Sequence, residues 1–392
     1  MSLGLYVAGA GKDAGKTTLC LGLLAALRDR LPRGVSFTKP LGQKTTIVDG
    51  DSVGQDSWFI DRALELGIPL QHSAPFSASA GAAKRFVKTG EPKDIEVRVK
   101  RAYRRLSGGY DMVVVEGTGH PGVGSVFGLS NADVAALLGT PVVLVLDGGL
   151  GSTIDAYAQC AALFELREVP LLGIVVNRML PAKMDTIGAL LRGWFEGRGV
   201  PLLGMLPYED SLCAPSLGVI SRALDAAPTG EDEDLDEGEV SGYLTAFGAP
   251  EEVLREVSRQ PGAALLVSGS RLDVIDAVVV RAMSGGRGPG ALVVCGRPPG
   301  ERHRSACGRL KLPLYYTKAD LEGSAKRLEG KTFKVEPDES GKIERIVDLV
   351  AQHVDVDMMV RRLREGPSPA GRARRRGGPI RRFFSRLLGG GG

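Results

Sequence analysis

Six nearly continuous apolar runs recur between residue 3 and about residue 207. They are LGLYVA (3–8), VSFTK (35–39), DMVVVEG (111–117), PVVLVLD (141–147), LLGIVVN (171–177) and PLLGML (201–206). They lack the apolar–polar alternation of a strand with one solvated face, so both faces should be covered. Helical patterns lie between them; in the first, Leu19, Leu23, Leu24 and Leu27 share one face. The pattern predicts an α/β domain with a doubly wound, mostly parallel sheet.

A dense acidic run, PTGEDEDLDEGEV (228–240), interrupts this pattern. It carries few apolar residues and is interpreted as a solvated linker. A second α/β pattern follows, with helical stretches at 249–260, 272–283 and 342–354 and strand-like runs at 264–269, 291–296 and 312–317. The predicted segments are an N-terminal domain (1–225), a linker (226–247), a smaller α/β domain (248–360) and a tail (361–392).

The tail carries ten arginines and a single acidic residue, Glu365. It has too little apolar surface to fold by itself and is predicted to be disordered. Within it, PIRRFFSRLL (379–388) has the composition of an amphipathic helix, with Phe383, Phe384 and Leu387 beside arginines. The tail is expected to be solvated; the alternative is that this segment contacts an anionic lipid surface, nucleic acid or an acidic partner.

Composition narrows the class of protein. The 392 residues are 43% hydrophobic and 24% charged, with a net charge of +4, too small to indicate nucleic acid as a general partner. The five cysteines are scattered and lack CxxC spacing, which favours reduced thiols over a zinc site. The apolar runs are far shorter than a membrane span, and a signal-peptide pattern is absent, so a cytoplasmic location is expected.

The stretch GAGKDAGKTT (9–18) has the form of a phosphate-binding loop between a strand and a helix, although Ala10 stands where the strict pattern has glycine. In such a loop, backbone N–H groups and the helix N-terminus surround a triphosphate. Lys16 would reach the β- and γ-phosphates, and Thr17 would ligate Mg²⁺. The residues predicted to bind the nucleotide here are Gly11, Ala14, Gly15, Lys16, Thr17 and Thr18.

Glu116 follows the apolar run MVVV, at the carboxyl end of a predicted buried strand. Ligands gather at that edge of an α/β sheet, and Mg²⁺ takes carboxylate oxygens, so Glu116 is a candidate metal ligand. The glycine-rich loop GTGHPGVGS (117–125) comes next and would close over a substrate. His120 in this loop is either a general acid or base or a solvent-exposed side chain.

Together these features resemble the dethiobiotin synthetase family of P-loop enzymes and, more closely, the N-terminal regulatory part of long bacterial phosphotransacetylases. The similarity covers about residues 1–225 and does not extend to the acetyltransferase catalytic domain of those proteins. The second domain resembles the DRTGG domain that follows in them, although CGRPPG (295–300) replaces its name-giving motif. The motifs that carry the resemblance are GAGKDAGKTT, FTKPLGQ, VVVEGTG, PVVLVLDGGLGS, GIVVNRM and PLLGMLPYED.

The resemblance implies further roles for individual residues. Lys39, in the TKP motif, would join Lys16 as a catalytic residue and neutralise a transferring phosphoryl group. Glu116 matches the family's metal-binding glutamate, and an aspartate should follow KPLGQ. Asp51 and Asp56 are both available, and Asp56 is preferred because it opens a helical stretch. Asn177, at the end of GIVVN, matches an asparagine that hydrogen-bonds adenine.

Two functions are compatible with these residues. The first is a regulatory or sensor ATPase that binds ATP and Mg²⁺. The second is a ligase-like enzyme that phosphorylates a carboxylate or carbamate metabolite, with catalysis by positioning and charge stabilisation. Binding and turnover use the same residues, so the sequence does not separate the two. Relatives of the fold place the site near a two-fold axis, which makes a homodimer an expectation by analogy.

Overall fold

The computed structural model describes residues 2–48, 50–78, 81–89, 94–229, 240–331 and 333–366. The chain forms two compact units. The first contains Met1–Tyr208 and the helical segments from Ile343 onward, and the second contains Glu209–Lys342. Most of the acidic run and nearly all of the predicted tail, including Phe383, lie outside the described residues.

The first unit is built on a parallel sheet with the strand order β2-β5-β1-β6-β7-β8. All six strands predicted from the apolar runs are present, and their central residues are buried. An antiparallel hairpin, β3–β4, was not predicted. The strands of this unit are β1 (Leu3–Gly9), β2 (Val35–Thr38), β3 (Thr45–Val48), β4 (Asp51–Gly54), β5 (Met112–Glu116), β6 (Val142–Asp147), β7 (Leu171–Met179) and β8 (Leu202–Pro207).

Helices connect these strands, and short 3₁₀ turns lie at Ser125–Phe127 and Pro181–Lys183. The chain passes from β1 outward to β2, returns to β5 and continues through β6, β7 and β8, so the strand order reverses at β1. Ligands of open α/β sheets bind at such a reversal, beyond the carboxyl ends of the strands. The helices are α1 (Lys16–Arg28), α2 (Gln55–Leu64), α3 (Leu70–Ser73), α4 (Ala82–Thr89), α5 (Asp94–Gly109), α6 (Asn131–Leu138), α7 (Gly151–Leu166) and α8 (Met184–Glu196).

The second unit is also an α/β structure, with the strand order β10-β11-β12-β13-β9 and β9 antiparallel to β13. Apolar clusters pack on both faces of this sheet, one around Val257 and Val278 and the other around Ile220 and Tyr315. Its strands are β9 (Ala227–Pro228), β10 (Tyr243–Thr245), β11 (Ala264–Ser268), β12 (Ala291–Cys295) and β13 (Leu314–Thr317). Its helices are α9 (Asp210–Cys213), α10 (Leu217–Leu224), α11 (Pro250–Arg259), α12 (Leu272–Met283), α13 (Glu301–Arg309) and α14 (Leu321–Leu328).

The last two helices of the described chain are α15 (Ser340–His353) and α16 (Val356–Glu365). α16 contacts β1, β7 and β8, and a Cβ placed on Gly22 of α1 would lie 2.4 Å from the side chain of Val350. This division differs from the predicted domains, in which the helix at 342–354 closes the second domain and the tail starts at residue 361.

The reason for this difference lies in the order of the strands. From β2 onward, every crossover moves in one direction, and right-handed connections place the intervening helices on one face of the sheet. The other face carries α1 beside β1, β2 and β5, which leaves β7 and β8 to be covered by another element. Met359 and Leu363 of α16 are buried in this position. Residues 361–365 therefore form helix and do not begin a tail.

Among the described residues, no helix combines the length and the apolar character that crossing a bilayer requires.

Candidate functional site

The turn between β1 and α1 lies at the centre of the parallel sheet. Gly15 adopts a left-handed conformation with φ of 94°, and α1 begins at the next residue. The side-chain amide of Asn177, at the carboxyl end of β7, donates a hydrogen bond to the Ala14 carbonyl over 3.0 Å. A Cβ on Gly15 would lie 1.9 Å from that amide nitrogen, whereas a Cβ on Gly11 would meet open space. Gly15 is therefore required by both its backbone angle and its neighbour.

Lys16 lies at the first position of α1 and is 4% exposed. Its ammonium group donates hydrogen bonds to the carbonyls of Gly11 at 2.7 Å and Lys12 at 3.2 Å. Burial lowers the pKa of Lys16, and the nearby negative charge of Glu116 opposes that shift only in part. A buried cation with backbone partners alone is stabilised when an anion is bound nearby.

Lys39, Asp56 and Glu116 form a charged cluster beside this turn. Lys39 Nζ lies 2.6 Å from Asp56 Oδ2 and 2.6 Å from Glu116 Oε1. Burial alone would lower the pKa of Lys39, but the two carboxylates outweigh it and raise the pKa above its ordinary value. The two carboxylates therefore favour the charged form of this lysine. Thr17 donates its hydroxyl to the same Glu116 oxygen over 3.0 Å, which connects the cluster to α1.

The second carboxylate oxygen of Glu116, Oε2, is buried and has no hydrogen-bond partner among the described residues. An ionised oxygen in this state is costly unless a cation or donor reaches it. Thr17, Asp56 and Glu116 supply a hydroxyl and two carboxylates, a donor set that fits Mg²⁺, which commonly takes few protein ligands plus waters and phosphate oxygens. No group of three or more His, Cys, Asp or Glu side chains in the described part of the chain is arranged to hold a metal ion.

Of the two aspartates left open by the sequence, only Asp56 lies in this cluster. It occupies the first turn of α2, and its side chain is 14% exposed. Asp51 is exposed and lies in the β3–β4 hairpin, paired with Val48. The start of α2 therefore brings Asp56 to Lys39, while the hairpin carries Asp51 to the surface.

Asn177 has a structural contact that the sequence did not reveal. Because its Nδ2 is hydrogen-bonded to Ala14, its Oδ1 is the part of the amide left to accept a bond from a ligand. Thr18 is half-buried in the first turn of α1. The predicted nucleotide-binding residues thus converge on one end of β1.

The loop after β5 is anchored by Asn131, a residue that the sequence reasoning missed. Asn131 is 1% exposed, and its Oδ1 accepts hydrogen bonds from the Tyr6 hydroxyl at 3.0 Å and the Thr118 N–H at 2.9 Å. Its Nδ2 donates to the Thr118 and His120 carbonyls at 2.6 and 2.7 Å. Thr118 also donates its hydroxyl to the Leu41 carbonyl. The first part of the predicted closing loop is therefore held in place, and the side chain of His120 is exposed.

The sequence analysis missed Asn131 because asparagine is a common residue in the first turn of a helix. Only its position opposite Tyr6, 125 residues earlier, gives it this role.

Comparison with known proteins shows the family to which this chain belongs. A family model described as an AAA domain matches residues 3–216, which contain all the site residues named above.

Two curated relatives are phosphate acetyltransferases. That of Nitrosomonas europaea is 26% identical over 371 residues, covering 92% of this chain and 52% of the relative. That of Nitratidesulfovibrio vulgaris is 25% identical over 375 residues, covering 93% of this chain and 52% of the relative. The chain thus spans about half the length of the curated relatives it matches.

Among solved structures, cobyrinic acid a,c-diamide synthase from Mycobacterium smegmatis, with bound ADP and magnesium, is similar at 16% identity and a TM-score of 0.37. The match covers 54% of this chain and 89% of that one.

Proposed function

Because the chain belongs to the AAA-domain family over residues 3–216, we propose that it binds ATP with Mg²⁺ and acts as a regulatory or sensor ATPase. The observation that carries the proposal is the buried Oε2 of Glu116, for which the described part of the chain supplies no hydrogen-bond partner; the other oxygen of this carboxylate accepts the Thr17 hydroxyl. A divalent cation brought by a triphosphate would satisfy this oxygen.

In this proposal the N–H groups from Gly11 to Thr18 surround the phosphates at the N-terminus of α1. Lys16 exchanges its backbone carbonyl partners for phosphate oxygens, and Lys39 neutralises charge at the terminal phosphate. Thr17, Asp56 and Glu116 hold Mg²⁺, which would offset phosphate charge. Asn177 accepts a hydrogen bond from the adenine amine through Oδ1.

The regulatory role rests on the resemblance to the N-terminal part of long phosphotransacetylases and on the similarity to phosphate acetyltransferases over half their length. The second unit would correspond to a DRTGG-like module that receives or transmits the signal. A homodimer belongs to the same proposal, and its mass with and without Mg-ATP is measurable by light scattering.

Nucleotide binding is tested by thermal unfolding with ATP and Mg²⁺. Lys16→Ala should abolish the nucleotide-induced rise in melting temperature, while Lys12→Ala, at an exposed position of the same loop, should retain it. A ligand that binds the folded chain more tightly than the unfolded chain raises the melting temperature by mass action. An unchanged rise in Lys16→Ala would overturn the proposed site.

The metal assignment is tested by titrating ATP with and without Mg²⁺. Glu116→Gln keeps a side-chain oxygen near Thr17 and Lys39 but removes the charge. We expect it to weaken ATP binding only when Mg²⁺ is present. An equal loss in both conditions would remove Glu116 from the metal site.

The two functions are separated by phosphate release measured with and without small carboxylate metabolites. A sensor ATPase is expected to release phosphate slowly and independently of them. Stimulation by one carboxylate would replace the regulatory proposal with the ligase-like enzyme.

A further inference from the structure

Helix α5 carries a strongly basic surface outside the candidate nucleotide site. Its apolar residues Ile95, Val99, Ala102 and Leu106 are buried against the rest of the first unit. With 3.6 residues per turn, the opposite side faces outward. Arg101 and Arg104 lie on that side, and Arg98 and Arg105 lie between it and the buried stripe. All four are exposed, and we call them the arginine face.

Among the described residues, the arginine face lacks the ion pairs that other arginines of the first unit form. Arg33, Arg167 and Arg178 each form an ion pair with an aspartate. None of the four arginines of α5 forms an ion pair with a described carboxylate. Arg98 instead lies over the ring of Phe76, 5.9 Å from its centre.

Like charges spaced three or four residues apart on a helix repel one another, and the pairs Arg98–Arg101 and Arg101–Arg105 have this spacing. The two acidic residues of α5, Asp94 and Glu96, both lie in its first turn. The repulsion along the rest of the helix is relieved when an anion with several charges is bound.

Helix α4 adds further positive charge to that of the arginine face. It contributes the exposed Lys84 and Lys88 and contains no acidic residue. Phe86 of α4 packs edge-on against Phe127, which packs in the same way against Phe76 beneath Arg98. This chain of aromatic contacts connects α4 to the N-terminal half of α5.

We propose that the arginine face binds the phosphate backbone of double-stranded nucleic acid, independently of base sequence. Planar guanidinium groups bind phosphate oxygens through paired hydrogen bonds. From Arg98 to Arg105 the helix rises about 10 Å. That length corresponds to about three phosphates along one strand of a duplex.

The character of the face favours a duplex over other polyanions. Single-strand binding uses exposed aromatic platforms, but the phenylalanines beside the face, Phe76, Phe86 and Phe127, are partly buried and pack against one another. An interfacial membrane helix needs apolar side chains to insert, but those of α5 are buried apart from Val97. The net charge of +4 is too small to indicate nucleic acid as a partner of the whole surface, but it is an average over the chain and the arginine face is a local concentration of charge.

The test measures binding of the full chain to a short fluorescent duplex of random sequence at ~50 to ~200 mM salt. The test variant is Arg101→Glu/Arg105→Glu. The matched control is Arg255→Glu/Arg259→Glu on α11, which changes two exposed arginines at the same spacing and changes the net charge equally. Arg98→Gln/Arg104→Gln provides a second test pair without charge reversal.

We expect the test variant to bind at least tenfold more weakly at the lowest salt. We also expect the slope of log affinity against log salt to fall by about two, since each lost phosphate contact contributes about 0.9. The control should keep the wild-type slope. The proposal is overturned if the wild-type chain does not bind the duplex, or if the test and control variants lose affinity for it equally. Binding to phosphatidylserine vesicles is measured in parallel. A test variant that loses affinity only for these vesicles and keeps its affinity for the duplex would also overturn the proposal.

Discussion

Asn177 contacts the phosphate-loop turn directly: its amide nitrogen lies 3.0 Å from the Ala14 carbonyl, in the place where a Cβ on Gly15 would lie. The end of β7 therefore supports the turn that follows β1. This one side chain therefore constrains the conformation of the turn.

Gly15→Ala should damage both stability and nucleotide binding. A left-handed φ costs a residue with a side chain about 1–2 kcal/mol, and displacing Asn177 adds to that cost. Gly11→Ala is the control for stability, because a Cβ there meets no atom within 4 Å. Urea denaturation of the two variants should show a loss only in Gly15→Ala. Equal stabilities would contradict the assigned contact.

Lys39→Ala should destabilise the folded chain by about 3–5 kcal/mol, because it leaves two carboxylates without their shared cation. If this cluster accepts a divalent cation, Mg²⁺ alone should raise the melting temperature of Lys39→Ala more than that of the wild type. Scanning fluorimetry across a Mg²⁺ titration measures the difference. Identical Mg²⁺ responses would argue against metal binding between Asp56 and Glu116.

Asn131→Asp should be far more damaging than Tyr6→Phe. The aspartate loses both donors to the carbonyls of Thr118 and His120 and places a charge at a buried position. Tyr6→Phe removes one hydrogen bond, worth about 1 kcal/mol. Urea midpoints give the comparison, and similar losses in the two variants would show that Asn131 does not anchor the loop.

Asp133 gives a prediction about pH. Burial alone would raise the pKa of this carboxyl, but hydrogen bonds from Ser130 and Arg167 outweigh it and lower the pKa. A carboxyl whose pKa is lower in the folded chain than in the unfolded chain, where it is about 3.9, stabilises the folded chain when the pH is above the unfolded value. This stabilisation is lost as the pH falls through the pKa of the folded chain.

Asp133→Asn should therefore be less stable than the wild type at neutral pH, and the gap should narrow as pH falls below about 4. Denaturant midpoints of both proteins across this range provide the measurement. A gap that stays constant into acid would mean that the charge of Asp133 contributes nothing.

Met359→Ala tests the placement of the C-terminal helix. Met359 is fully buried in α16, so truncation should cost about 2–5 kcal/mol. The neighbouring Met358 is only partly buried, and Met358→Ala should cost much less. Comparable losses would contradict the packing of α16 on the first unit.

The apolar runs and the glycine pattern were enough to predict the strands of the parallel sheet and the turn at Gly9–Thr18. Buried parallel strands need continuous apolar runs, and a phosphate loop needs glycines between strand and helix, so local composition carried both signals. Lys16 and Glu116 were predicted from their places beside a helix start and a strand end, whereas Lys39 was predicted only from the family resemblance; the structure brings Lys39, Glu116 and Thr17 of the turn together.

Tertiary structure alone decided which distant side chains meet. The choice of Asp56 over Asp51 followed from the hairpin that moves Asp51 to the surface, and the role of Asn131 followed from its contact with Tyr6. The return of α15 and α16 to the first unit depended on which face of the sheet the crossovers left bare. Asn131 and Tyr6 are 125 positions apart, and the surface that α16 covers exists only in the folded sheet, so no local pattern contains these contacts. Lys39 and Asp56 are near each other in the chain, but only the hairpin between them decides which aspartate reaches the lysine.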